Sequence, residues 1–152
     1  MTAQTQLILK YGIPDKTYLD KHCEMWNISE DFPWTLNVTI GASQNVWKRV
    51  FINKDFKAKI KQAFANLEKA GLHTEIKTFD GCYVDRKVRG RNTRSLHAWA
   101  VAFDLNASTE GLGKLTTNWS PRFIAVMKAA GIYWGGDWKG RKDNMHFALY
   151  NG

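Results

Sequence analysis

The sequence predicts an α+β fold in which a small antiparallel sheet, flanked by helices, carries the chemistry. Two capped amphipathic stretches, over 55–70 and 120–131, supply the helices. Short stretches of alternating apolar and polar residues supply the strands. These strands follow one another without strict alternation with helices, which disfavours a parallel, doubly wound sheet. At 152 residues the chain has the length of one domain.

Residues 1–45 read as an N-terminal arm packed on the core. A short helix is expected over 16–26 and an extended segment around Pro33-Trp34-Thr35-Leu36. From Val46, Trp47, Arg49 and Phe51 alternate with Lys48, Val50 and Ile52, the pattern of a short strand. Asn53 offers an N-cap to a helix with Phe56, Ile60, Ala63, Phe64 and Leu67 on one face, and Gly71 stops it. Residues 72–79 alternate as a strand, closed by the turn pair Asp80-Gly81. Residues 85–94 form a polar, basic loop.

Trp99, Val101, Phe103 and Leu105 then share one strand face, and Ala100, Ala102 and Asp104 the other. Ser120-Pro121 opens the second helix with an N-cap and a proline at its first position; Phe123, Ile124 and Met127 are its buried stripe, and Gly131 ends it. Residues 132–134 and 145–149 read as strands around a glycine-rich loop.

Apolar residues make up 44 % and charged residues 24 %, values of a folded chain rather than a disordered one. No apolar run reaches the roughly 18 residues of a membrane span. Residues 1–10 lack the basic flank and the cleavage site of a signal peptide, so synthesis in the cytoplasm is expected. Cys23 and Cys82 are too few for a disulfide framework and read as reduced thiols. A net charge of +8 favours polyanionic partners: nucleic acid, acidic lipid or an anionic cell-wall polymer.

Of four histidines, two stand near carboxylates. His97 precedes Asp104 by seven residues, and Asp143 precedes His146 by three. Asp104 shares its face with alanines, and His146 shares its own with Ala148. Two adjacent strands would thus turn bulky residues to the core and leave a cleft beside the polar pair. His97, an odd number of residues from Asp104, must sit in the turn before the strand or beyond a bulge. Two imidazoles and a carboxylate are a recurrent zinc set with a fourth position for water. The same residues equally fit hydrogen-bonded strand histidines and a turn-capping aspartate.

Ser95-Leu96-His97-Ala98-Trp99-Ala100-Val101-Ala102-Phe103-Asp104 resembles the Ser-x-His-x-x-Gly-x-Ala-x-Asp motif of the zinc D-Ala-D-Ala carboxypeptidase-like (VanY-type) peptidases, which include phage L-alanyl-D-glutamate endolysins. Asp143-Asn144-Met145-His146, following Trp134-Gly135-Gly136-Asp137-Trp138, is similar to their Asp-x-x-His motif. Gly81-Cys82-Tyr83-Val84-Asp85-Arg86 looks like the segment upstream of their first histidine, and Tyr11-Gly12-Ile13-Pro14 is similar to the opening of some phage relatives.

The resemblance implies a hedgehog/D-Ala-D-Ala peptidase-like fold. It implies Zn²⁺ on His97, Asp104 and His146, Asp143 as catalytic base and Arg86 on the oxyanion. Tyr83, Ser95, Trp134 and Trp138 are the candidate substrate contacts. Ala100 stands where the motif has glycine, and Ala148 where many relatives have glutamate.

The function implied is a stem-peptide peptidase of peptidoglycan, an endolysin drawn by its charge to the anionic envelope and acting on the wall after release. It needs no nucleic acid and no transmembrane segment, and a monomer is expected. A D-Ala-D-Ala carboxypeptidase is the alternative within the enzyme class. Outside it stand a basic nucleic-acid-binding module built on residues 86–94 with Tyr83 and Trp99, and a zinc-holding interaction domain, against which Asp143 speaks.

Overall fold

The computed structural model describes residues 1–85 and 94–152. Among these, five α-helices surround a five-stranded sheet, with a two-stranded sheet beside it. The helices are α1 (Ala3–Tyr11), α2 (Lys16–His22), α3 (Ile28–Asp31), α4 (Lys54–Lys69) and α5 (Pro121–Ala129). The strands are β1 (Cys23–Trp26), β2 (Thr39–Ile40), β3 (Val50–Asn53), β4 (Thr78–Gly81), β5 (Ala102–Leu105), β6 (Tyr133–Trp134) and β7 (His146–Ala148). None of the helices is long and apolar enough to cross a membrane.

The main sheet runs β2-β4-β5-β7-β6, and β1 pairs with β3. Its pairs are antiparallel except β2 with β4, which the long crossover through β3 and α4 brings in parallel. The expected antiparallel sheet is therefore right for the strands of the site and incomplete elsewhere.

The β5–β7 register organises the molecule. Phe103 faces Phe147, with Ala102 opposite Ala148 and Asp104 opposite His146 on the other side. The aromatic face packs against the helices. Phe56 of α4 meets Phe103 edge-on at 5.2 Å, and Phe123 of α5 approaches Phe147 at 6.0 Å. Trp47 stacks on Phe79 at 4.4 Å and closes the same layer. Both long helices begin and end as the sequence predicts. Asn53 caps α4 by accepting from the amides of Asp55 and Phe56, Ser120 caps α5, and Gly71 and Gly131 follow at φ +70° and +85°.

The first 45 residues supply Leu7, Tyr18, Trp26 and Val38 to the core, and β1 and β2 pair with later strands. Several element expectations are corrected. The helix expected over 16–26 stops at His22, because β1 extends alongside β3 from Cys23 onward. Pro33–Asn37 is a 3₁₀ turn, not extended. The proline starts it, and the Thr35 hydroxyl closes on the Phe32 carbonyl at 3.0 Å.

Residues 72–79 are strand only at their end. The left-handed Gly71 reverses the chain into a 3₁₀ turn over His73–Glu75, and β4 starts at Thr78. Asp80 and Gly81 are the last residues of β4 rather than a turn that closes it, and Gly81 sits at an irregularity of register. The strand expected from Val46 starts at Val50; Trp47 is held before it by its amide on the Val38 carbonyl at 2.8 Å.

Asn53 joins these parts. Besides capping α4, its Nδ2 donates to the Tyr18 hydroxyl at 3.0 Å, which in turn donates to the Trp99 carbonyl at 2.6 Å. Replacing Asn53 with Ala removes the cap and strands buried amides. We expect a loss of about 2 kcal/mol or more, read as a lowered urea midpoint with unchanged m-value.

Candidate metal centre

The site begins where β5 begins. Leu96–Trp99 forms a 3₁₀ turn capped by Ser95, whose hydroxyl accepts from the His97 amide at 3.3 Å. Ala100 follows in the left-handed region at φ +55°, its amide bonded to the His97 carbonyl at 3.1 Å. That residue breaks the strand alternation, so the odd spacing between His97 and Asp104 no longer separates their side chains. It is also the position where the peptidase motif has glycine, the residue that takes a positive φ without steric cost.

Three side chains converge. His97 Nε2 lies 3.2 Å from Asp104 Oδ2, and His146 Nδ1 lies 3.6 Å from Asp104 Oδ1. One ligand atom from each residue falls within 4.8 Å of the others. The edges of a tetrahedron with zinc bonds of 2.0–2.1 Å measure about 3.3 Å, so these separations suit one ion.

The outer faces of both rings are tied to backbone carbonyls. His97 Nδ1 sits 2.8 Å from the Cys82 carbonyl and His146 Nε2 2.9 Å from the Gly152 carbonyl. A carbonyl only accepts, so these nitrogens carry the protons and the opposite nitrogens are turned toward Asp104. Asp104 Oδ1 is buried with no hydrogen-bond partner among the described residues. Electron-pair donors thus meet without a donor hydrogen for that oxygen, an arrangement that a divalent cation compensates. The residues present fit a metal ion. Burial opposes ionisation of Asp104, but where protons take the metal's place on the inner ring nitrogens, hydrogen bonds and charge from His146 and His97 outweigh it and hold the carboxyl well below the usual carboxylate range.

The centre lies in a cleft of ≈ 690 Å³ whose wall includes Asp143, Trp138, Ser95 and Arg141. Asp143 is placed by backbone: its amide donates to the Gly135 carbonyl, and its own carbonyl accepts from the His146 amide, both at 3.1 Å. Asn144 fixes the turn between them. Its Nδ2 donates to the Lys114 and Thr116 carbonyls at 3.1 and 3.0 Å, and its carbonyl accepts from the indoles of Trp119 and Trp134.

The sequence-predicted residues are therefore distributed as follows. His97, Asp104 and His146 come together, Asp143 and Ser95 line the cleft, and the Trp138 ring lies 5.2 Å from that of His146. Trp134 is not brought to the cleft wall; its indole holds the Asn144 turn. Tyr83 also lies outside the wall, edge-on to Phe51 at 5.5 Å. Arg86 falls outside the described residues.

The sequence reading missed the carbonyls of Cys82 and Gly152, which carry no side-chain signal. It also missed the contribution of Thr2, Ala3 and Gln4 to the wall, and Arg141. The Gly135-Gly136 pair has a steric reason that its motif does not express. A Cβ on Gly135 would collide with the Asp143 carbonyl, and one on Gly136 with the Trp134 ring.

Residues 89–149 match the model of a family described as D-alanyl-D-alanine carboxypeptidase. The match takes in His97, Asp104, Asp143 and His146 and supports that family. The family implies a metallopeptidase, and the three donors give this chain the means to hold the metal.

Two outcomes test this geometry. Gly135→Ala has to push back the backbone carbonyl of Asp143, costing about 1–3 kcal/mol by thermal unfolding and displacing Asp143 in a crystal structure of the variant. The thiols are predicted to be inert. Burial pushes Cys23 up to about 11 and Cys82 well above the usual thiol value. Both stay protonated at pH 8, so iodoacetamide should label them only after denaturation, as counted by mass spectrometry.

Proposed function

We propose that this chain is a zinc-dependent peptidoglycan peptidase that cleaves the stem peptide between L-alanine and D-glutamate, acting as a phage endolysin. The observation that carries the reading is the convergence of His97, Asp104 and His146 in a cleft whose wall also carries Asp143. Synthesis in the host cytoplasm and action on the wall after release are part of the proposal. The net charge of +8 supports attraction to the anionic envelope.

In this reading His97, Asp104 and His146 hold the zinc ion. Bound zinc lowers the pKa of water to near 7 and polarises a carbonyl oxygen. Asp143 accepts the proton of the attacking water on its carboxylate and returns it to the departing amine. Its backbone bonds to Gly135 and His146 keep that carboxylate at the cleft while the proton is held. Ser95 orients His97 through the cap of its turn, and the Trp138 ring offers an apolar wall beside His146. Arg86, on the resemblance, would bind the developing oxyanion.

Removal of a terminal D-alanine is the second reading, favoured by the description of the matched family. Mass spectrometry of digested muropeptides separates the two. Cleavage after L-alanine is expected; release of free D-alanine alone would replace the endopeptidase reading with the carboxypeptidase one.

Asp143→Ala should still bind one equivalent of zinc while losing peptidoglycan cleavage by about 10²–10⁴-fold. Near-normal turnover in that variant would reject Asp143 as base. Chelation should abolish lysis of outer-membrane-stripped cells and added zinc should restore it, with metal content followed by atomic absorption.

A further inference from the structure

Each acid of the cleft wall already has a place. Asp80 accepts from the Thr78 hydroxyl at 2.8 Å and the Ala107 amide at 2.9 Å, which anchors the turn after β5. Asp104 is held between two imidazoles. Asp143 stands at the reacting position of the proposed mechanism. One arginine of the wall is left over: Arg141, an exposed residue on the same loop as Asp143 and two positions before it. No ion pair joins Arg141 to an acid among the described residues.

Its placement is structured. The Gly113 amide donates to the Lys142 carbonyl at 2.7 Å, tying the loop after β5 to the loop that carries Arg141. Gly113 has φ +84°, and its Cβ position would lie 3.7 Å from Arg141 Nε and 4.0 Å from Cγ. The arginine stem therefore runs along a glycine, and Arg141 borders the cleft that also holds Asp80, Asp104 and Asp143. Next door, Lys142 is committed inward, donating to the Gly136 and Trp138 carbonyls at 3.1 and 2.9 Å. Of these two neighbouring cations, Arg141 alone remains for a ligand.

We infer that Arg141 is a specificity-determining residue that binds a free carboxylate of the peptide substrate next to the scissile bond. A guanidinium is suited to this, because its planar fork matches both oxygens of a carboxylate. The inference rests on the peptidase reading and deepens it. In a stem peptide cut after L-alanine, the carboxylate in question is the α-carboxylate of D-glutamate, on the carbon bearing the departing amine. With that carboxylate held by Arg141, the neighbouring peptide bond is left for the part of the cleft that carries Asp143. Because Arg141 is exposed, the interaction weakens with salt.

The test uses two peptides, N-acetyl-L-alanyl-D-glutamyl-γ-L-lysine and the same peptide with the D-glutamate α-carboxylate converted to carboxamide. Each is assayed for kcat/KM on the zinc-loaded full chain. Each is also titrated by calorimetry into the Asp143→Ala protein, with and without Arg141→Ala. The carboxylate form should be preferred by roughly ten-fold in both readouts, the scale of a charge-assisted hydrogen bond at a partly exposed site.

Arg141→Ala should bring the ratio close to one, and Arg141→Lys should keep part of it as a point charge. A preference that survives Arg141→Ala, or equal cleavage of both peptides by the unaltered chain, overturns the inference and leaves the peptidase reading standing. If neither peptide is cleaved but the Arg141-dependent binding preference persists, the endopeptidase reading fails and the inference holds. Absence of both cleavage and binding overturns both.

Discussion

The pairing of β5 with β7 is the constraint on which the rest of the molecule depends. In one register Phe103 meets Phe147 toward the helices, while Asp104 meets His146 on the far side. A slip of either strand by one residue would turn its aromatic ring to the cleft and force its polar residue, carboxylate or imidazole, into the core. Each exchange is costly, since buried aromatic surface and an unpaired buried charge oppose it together. The packing of Phe56, Phe123 and Trp119 on those rings therefore holds the polar pair in place from the opposite face of the sheet.

Backbone rather than side chains then completes the centre. The carbonyls of Cys82 and Gly152 set which nitrogen of each imidazole carries the proton, and the left-handed Ala100 brings His97 round to its partners. Outer partners of this kind orient metal-binding histidines and tune their basicity. They also explain how residues far apart in sequence belong to one site. Gly152 packs so closely on Ala3 that a Cβ there would come within 2.6 Å, so α1 and the residues after β7 close the cleft as a unit.

How much of this was legible follows from where the signals reside. The amphipathic stripes of α4 and α5, their caps and their glycine stops lie in the side chains, and both helices were readable to within a residue or two. The convergence of His97, Asp104 and His146 was readable because alternation gave their faces, and the odd spacing gave the turn before β5. Tertiary pairing decided the rest. β1 was read as helix because only β3, aligned Cys23 to Asn53, makes it a strand. Residues 73–75 were read as strand because alternation in a polar stretch does not exclude a 3₁₀ turn. Trp134 was assigned to the cleft by its nearness in sequence to the motif, whereas its indole is spent on the Asn144 carbonyl.

The size of the cleft carries the last step. At ≈ 690 Å³ it falls within the range of small-molecule sites, about 300–1,000 Å³, enough for a few residues of peptide but not for a folded protein or a length of duplex. A site of that size discriminates through few contacts, and its described charged groups are Asp80, Asp104 and Asp143 with Arg141. The net charge of +8 belongs to the whole chain and acts at the range of a Debye length, about 10 Å at 0.1 M salt. Under the proposed function these are two electrostatic tasks. The net charge would gather the protein onto a polyanion without regard to sequence or linkage, and the few charged groups of the cleft would select a ligand by where its own charge falls.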